Sequence, residues 1–211
     1  MSEAGRVIAG SARGTRLLSP GESTRPFGDR VKQALFAILE PDIGGAVVLD
    51  LFAGSGAGAI EALSRGAARA VLVERDGAAA TTIAENLRRT GLEERGQLVR
   101  LDALRYLAEQ APADGPFDMV LIDPPYAEIR LLERAIDAVA TTPALLAPGA
   151  WVVAKHFWKT PPSTVAPALT FTRAKRFGET QLLFYRREGS AEELAATPGL
   201  ATRLGTEEAG T

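Results

Sequence analysis

The 211-residue chain has no cysteine, one histidine, two methionines and only 6% aromatic residues. Without cysteine there is no disulfide scaffold, no thiolate nucleophile and no zinc or iron–sulfur site built on sulfur. One histidine leaves no room for a histidine-rich metal centre, and no metal is expected. Long apolar runs are missing too: none approaches the roughly 20 residues that a bilayer span needs. The opening Met1-Ser-Glu-Ala-Gly-Arg6 has no basic segment followed by an apolar one, so a cytoplasmic protein with no membrane partner is expected. A large charge imbalance is also missing. With 24 basic and 26 acidic residues the net charge is −2, which excludes a polycation that coats nucleic acid indiscriminately.

Resolved by segment, the charge is uneven. Residues 1–32 carry six basic and three acidic side chains, 33–150 ten and seventeen, 151–188 seven and two, and 189–211 one and four. An acidic centre between two basic flanks allows a folded chain with one positive face, suited to a local nucleic-acid site.

From Ala46 onward, short β-branched runs alternate with helical stretches. Strands are expected at 46–50, 70–74, 97–101, 117–122 and 150–154, with helices at 58–65, 78–90, 103–110 and 129–140. Alternation of this kind implies a mostly parallel sheet covered by helices on both faces. Two further extended runs, 169–176 and 180–187 around Phe177-Gly-Glu179, predict an antiparallel hairpin closing the sheet. Before the core, 6–9 and 15–18 read as a small hairpin. Residues 29–40 then read as an amphipathic helix with Val31, Leu35 and Ile38 on one stripe, ending before Pro41. Three parts are expected: an RNA-contacting extension at 1–42, a catalytic domain at 43–187 and a disordered tail at 188–211, in a monomer.

The first chemical signal is Asp50-Leu-Phe-Ala-Gly54-Ser-Gly56-Ala-Gly58, at the end of the first core strand and the opening of a helix. Glycines there let backbone approach a ligand, and the helix start offers unpaired N–H groups. The spacing alone also satisfies the dinucleotide fingerprint, so a nicotinamide cofactor is a rival. Glu74 ends the next strand, placed to accept hydrogen bonds from the two hydroxyls of an adenosine ribose. Asp102 and Ala103 end the third, beside the adenine; the alternative role for Asp102 is a plain helix cap.

Asp123-Pro124-Pro125-Tyr126 discriminates between the two, because a hydride-transfer enzyme has no use for it. Consecutive prolines hold the loop stiffly extended at the carboxyl edge of the sheet. The Asp123 carboxylate and Pro124 carbonyl can accept the two hydrogens of an exocyclic amine, aiming its nitrogen at a methyl donor, while Tyr126 stacks on the base. Direct displacement needs no imidazole, so His156 is assigned a structural or RNA-contacting role.

These motifs resemble those of the S-adenosylmethionine-dependent amino-methyltransferases. Together with Arg6-Val-Ile-Ala-Gly10, Arg13-Gly14, Arg25-Pro26, Asp29-Arg30-Val31 and Glu61-Ala-Leu-Ser-Arg-Gly-Ala67, they resemble the RsmD family over about residues 5 to 187. The resemblance implies a doubly wound, mostly parallel, seven-stranded α/β sheet of the Rossmann-like methyltransferase type. It implies transfer of a methyl group from S-adenosyl-L-methionine to N2 of a guanine in small-subunit (16S) ribosomal RNA, as naked RNA or in an assembling particle. The implied cofactor contacts are Asp50, Phe52, Gly54, Ser55, Gly56, Gly58, Glu74, Arg75, Asp102 and Ala103. The catalytic loop is Asp123, Pro124, Pro125 and Tyr126, and Arg6, Arg13, Arg25, Arg30 and Lys155 are the implied RNA contacts. Other cations of the two flanks are Arg16, Lys32, Lys159, Arg173, Lys175 and Arg176.

The chain departs from the family pattern at three places. Phe27-Gly28 stands where two threonines are usual, Gly58-Ala59 replaces Leu-Gly, and Lys155-His156 puts a cation where the family commonly has glutamate. The rival readings are a DNA adenine methyltransferase, for which no separate target-recognition domain is visible, and a non-catalytic RNA-binding or ribosome-assembly protein that retains the fold.

Overall fold

A computed structural model describes residues 3–21, 28–163, 166 and 168–189. In chain order the elements are β1 (Glu3–Arg6), β2 (Arg16–Leu18), α1 (Asp29–Ile43), β3 (Val47–Asp50), α2 (Ala57–Ser64), β4 (Arg69–Val73), α3 (Gly77–Thr90) and β5 (Gly96–Val99). There follow α4 (Ala103–Glu109), α5 (Ala111–Asp114), β6 (Phe117–Ile122), α6 (Ile129–Ala140), β7 (Leu146–Phe157), β8 (Thr170–Phe177) and β9 (Thr180–Arg186).

Seven strands form one sheet in the order β5-β4-β3-β6-β7-β9-β8, and β1 pairs with β2 apart from it. The first five are parallel; β9 and β8 join antiparallel as the expected hairpin, turning at Gly178 with φ 59°. The chain moves outward from β3 through β4 to β5, then returns to place β6 on the other side of β3. The order therefore reverses between β3 and β6, the point at which open α/β sheets bind ligands beyond their carboxyl ends.

Strand residues alternate between two apolar layers. Val48, Leu72, Met119, Val153 and Phe184 pack with α1, α2 and α3 on one face. Leu49, Val71, Val120, Val152 and Ala154 pack with α4 and α6 on the other. The N-terminal strands and α1 share the first layer through Val7, Leu17, Leu35, Phe36 and Leu39.

Two buried polar side chains fasten the N-terminal strands. Glu61, wholly buried in α2, accepts hydrogen bonds from the backbone N–H of Ile8 (2.8 Å) and Ala9 (3.0 Å) and from Arg65 Nε (2.8 Å). Asn86, wholly buried in α3, exchanges hydrogen bonds with both backbone groups of Leu18 and donates to the carbonyl of Ser55. It thereby ties β2 to the glycine turn after β3.

Several element bounds differ from expectation for physical reasons. α1 continues through Pro41 to Ile43. A proline in the last turn forfeits only the bond to the exposed Ala37 carbonyl, whereas helical continuation buries Ile43 and aims the Asp42 carboxylate at Trp151 Nε1 (2.8 Å) and Arg186 (2.6 Å). β7 runs beyond Ala154, because Lys155, His156 and Phe157 pair with Leu182, Gln181 and Thr180 of β9. The N-terminal ladder is Glu3–Arg6 with Arg16–Leu18, shifted toward the start of the chain from the expected 6–9. Residues 190–211, expected to form most of a disordered tail, lie outside the described residues.

Because Glu61 is buried with two backbone donors and a nearly buried arginine on it, Glu61→Ala should lower unfolding free energy by about 3–5 kcal/mol, the usual cost of stranding a buried charge partner. Equilibrium urea unfolding measures this. A loss below about 1 kcal/mol would show that the N-terminal strands are not held through Glu61.

Candidate active site

The carboxyl ends of β3, β4 and β6 open onto a cavity of about 1030 Å³. After β3, Leu51 donates its N–H to Leu121 O (3.0 Å) and Ala53 donates to Val73 O (3.0 Å), so the turn is stitched to the strands on both sides. Gly54 and Gly56 have φ of 55° and 78°, the left-handed region that favours glycine. At Gly58 a Cβ would lie 2.9 Å from Asp50 Oδ2 and 3.0 Å from Leu121 Cδ1, so a larger residue there would require these two side chains to shift.

Asp50 is 4% exposed, and its Oδ2 accepts the Ala59 N–H at 3.2 Å. Burial, reinforced by the charge of Asp123, pushes its carboxyl up to about 7, against the pull of that N–H. A buried acid facing a cavity favours a cationic ligand group, which would supply the missing charge.

Glu74 bridges the cavity rim: Oε2 accepts the Gly54 N–H (2.9 Å) and Oε1 the Asp76 N–H (2.8 Å). Each oxygen keeps a further lone pair for a ligand hydroxyl. Asp102 caps α4 by accepting from the N–H groups of Leu104 (3.0 Å) and Arg105 (3.2 Å), the capping role weighed from sequence. It also lines the cavity, as do Ala103, Phe52, Ser55 and Arg75; Arg75 additionally approaches Glu128 at 3.7 Å. All ten expected cofactor residues therefore meet at this cavity except Gly56, which shapes the turn beneath it. Two left-handed glycines in the turn, an acid with free lone pairs at the rim and a buried acid facing the cavity suit a ligand with hydroxyl and cationic groups, as S-adenosylmethionine has.

Asp123 follows β6 and lines the same cavity with Pro124, Pro125 and Tyr126. Its Oδ2 accepts a hydrogen bond from Lys155 Nζ at 2.7 Å, with the side chains 19% and 9% exposed. Lys155, expected on the RNA-contacting surface, is thus an interior residue of the site. Burial raises the Asp123 carboxyl and the Lys155 ammonium pulls it back down. The same ammonium lies 5.3 Å from the centre of the Tyr126 ring. Tyr126 is tethered through its hydroxyl to Thr180 Oγ1 at 2.6 Å and leans toward Phe157 at 6.3 Å between ring centres.

Sequence reasoning did not single out Thr180, Phe157 or Pro20, all part of this arrangement. The first two reach the site only because β7 and β9 pair up to Phe157 and Thr180, a register that no local pattern displays.

The expected RNA contacts are spread out. Arg6 and Arg30 are exposed, Arg6 pairing with Asp29 at 3.3 Å, and Arg25 lies outside the described residues. Arg13 is exposed in a loop anchored by Ser11 and Ala12 to Ser64, the last residue of α2. A full length of that helix, about 12 Å, separates it from the glycine turn. Lys32, counted with the basic flank, is wholly buried; it donates to the Arg6 carbonyl and lies 3.7 Å from Asp29. His156 is buried on the other face of β7, where Nδ1 donates toward the carbonyls of Phe157 (2.8 Å) and Thr160 (3.2 Å).

Comparison with known proteins gives a consistent family. Residues 5–186 match the family described as Conserved hypothetical protein 95. The chain is 38% identical over 186 residues to a Bacillus subtilis protein named "Putative rRNA methyltransferase YlbH", covering 87% of this chain and all of that one. It is 35% identical over 188 residues to the Escherichia coli "Ribosomal RNA small subunit methyltransferase D", covering 89% and 92%. Among solved structures, the Escherichia coli protein described as "Putative methyltransferase yhhF" superposes with a TM-score of 0.75 at 36% identity, covering 88% of this chain and 98% of that one.

Two titrations follow from the site's electrostatics. The folded state keeps a proton on Asp50 that the unfolded chain releases, so stability should fall as pH rises from about 4 to about 7. Asp50→Asn should remove that slope, amounting to at most about 4 kcal/mol, in unfolding measured across the window. An unchanged slope would mean that Asp50 is already ionised. For Asp123, Lys155→Met should move the carboxyl's NMR titration to higher pH, because the cation holding it down is gone, while Lys155→Arg keeps it near the wild-type position. A titration insensitive to Lys155→Met would dissolve the proposed coupling.

Proposed function

This chain belongs to the Conserved hypothetical protein 95 family, and from that premise we propose that it methylates small-subunit (16S) ribosomal RNA, at N2 of a guanine, using S-adenosyl-L-methionine. The observation that carries the reading is the Asp123–Tyr126 loop, held by Lys155 and Thr180 against the same cavity as the glycine turn. Bound S-adenosylmethionine supplies a methyl group on a cationic sulfonium, open to attack by a nitrogen lone pair.

The chain's residues do the rest by positioning. Lys155 occupies Asp123 Oδ2, which leaves the remaining carboxylate capacity and the Pro124 carbonyl to accept the two amine hydrogens. With both hydrogens so held, the amine's lone pair would be turned toward the methyl group of bound S-adenosylmethionine. The nitrogen–carbon bond would form as the sulfur–carbon bond breaks, S-adenosylhomocysteine would be the leaving group, and the surplus proton on the nitrogen would pass to Asp123 or to water. Pro124 and Pro125 remove backbone freedom from the loop, and the hydroxyl tether fixes the ring of Tyr126 for stacking on the extruded base. Neither thiol nor metal is needed for this displacement.

Purified protein incubated with methyl-labelled S-adenosylmethionine and, separately, small-subunit RNA, small ribosomal subunits and duplex DNA tests the reading. Label is expected in guanine of the RNA or the subunits. Asp123→Ala should cost about 100-fold or more in kcat while leaving S-adenosylhomocysteine affinity unchanged. Label in duplex DNA alone, or near-normal turnover by Asp123→Ala, would overturn it.

A further inference from the structure

We propose that Trp158, Lys159 and Arg176 form a platform for single-stranded RNA, on which a nucleotide flanking the target base stacks and is held by its phosphate. The inference deepens the methyltransferase reading and rests on it for the identity of the strand. β7 delivers Phe157 to the cavity and continues directly into Trp158, whose N–H donates to Glu179 O at 3.0 Å. Phe157, Thr160 and Glu179 line the cavity and flank Trp158 in sequence or by hydrogen bond, so the turn that carries Trp158 borders the cavity although Trp158 itself does not line it.

The half-buried indole is covered by the exposed Arg176 guanidinium, whose carbon lies 3.4 Å from the ring centre, and the Lys159 ammonium lies 5.6 Å away. Arg176 Nε donates to Gly178 O at 2.9 Å, which fixes the guanidinium plane and leaves its other donors for a ligand.

A second arginine–tryptophan stack in the same sheet shows what a purely structural version looks like. Midway along β7, Arg186 covers Trp151 at 3.7 Å. There the tryptophan is 6% exposed, its Nε1 is bonded to Asp42, and Asp42 also pairs with the arginine. The indole and guanidinium are satisfied within the fold. At the carboxyl end no carboxylate pairs with Arg176 or Lys159 among the described residues. Aromatic and guanidinium faces together with cations that meet no carboxylate among the described residues are the elements by which proteins hold splayed single-stranded RNA.

The test compares methylation kinetics on small-subunit RNA for the wild type, Trp158→Ala, Trp158→Phe, Arg176→Ala and Arg176→Lys. Trp158→Ala should raise the RNA KM roughly 5- to 100-fold, as expected for one lost base–aromatic stack, with kcat at saturating RNA and S-adenosylhomocysteine affinity unchanged. Trp158→Phe should stay near wild type in KM. Arg176→Ala should reduce the slope of log KM against log salt by about 1, and Arg176→Lys should retain that slope. Because Trp151 is buried and Trp158 is the only other tryptophan, RNA should quench the wild-type tryptophan fluorescence and not that of Trp158→Phe. Unchanged RNA KM in Trp158→Ala and Arg176→Ala, or impaired binding of acidic ribosomal proteins with RNA binding intact, would overturn the platform. RNA binding with Trp158 quenching but no methylation by the wild type would leave the platform standing and remove the reaction.

Discussion

The ion pair between Asp123 and Lys155 is the constraint on which the working edge of this molecule depends. Two charges taken out of water cost several kcal/mol each, and their attraction only roughly repays that, so such a pair adds little net stability. Its effect is positional. A 2.7 Å contact between the loop after β6 and a side chain of β7 ties the stiff proline loop to the sheet, and one carboxylate oxygen is committed to the protein. The pair also requires β7 to continue past Ala154. That continuation brings β9 alongside, places Thr180 under the Tyr126 hydroxyl and carries the strand on to Trp158.

Around that pair the site is acidic by construction. Asp50, Glu74, Asp102 and Asp123 all line one cavity, and the cations that line it with them are the buried Lys155 and the exposed Arg75. Asp50 is buried, senses the Asp123 charge and holds its proton up to about pH 7. A cationic methyl donor relieves this repulsion, and the product that remains after methyl transfer is less cationic, so the same field that favours donor binding favours product release. The near-zero net charge of the chain therefore conceals an uneven distribution: acids line the cavity, while Arg173, Lys175 and Arg176 are exposed on β8.

The fold was legible because its signals are local. Alternating strand and helix patterns, the hairpin around Gly178 and the loop residues at strand ends each show within a dozen residues, and the seven-stranded sheet follows from them. The glycine turn and the Asp-Pro-Pro-Tyr loop were legible as a pair for the same reason, and the structure brings them to one cavity. What escaped depends on register and on contacts distant in sequence. Lys155 and Lys32 count as basic-flank residues in a charge tally, yet both are interior. Arg13 follows the family motif, yet its loop is anchored at the far end of α2. Helix α1 runs through Pro41 because Trp151 and Arg186, more than a hundred residues later, need Asp42.

Mapping methylated guanines in 16S ribosomal RNA from cells with the gene, without it, and with the gene carrying Asp123→Ala is the most direct measurement. One guanine modified at N2 should be present with the wild-type gene, absent without it, and not restored by Asp123→Ala. An identical methylation map in all three would contradict the assignment of this site to guanine methylation.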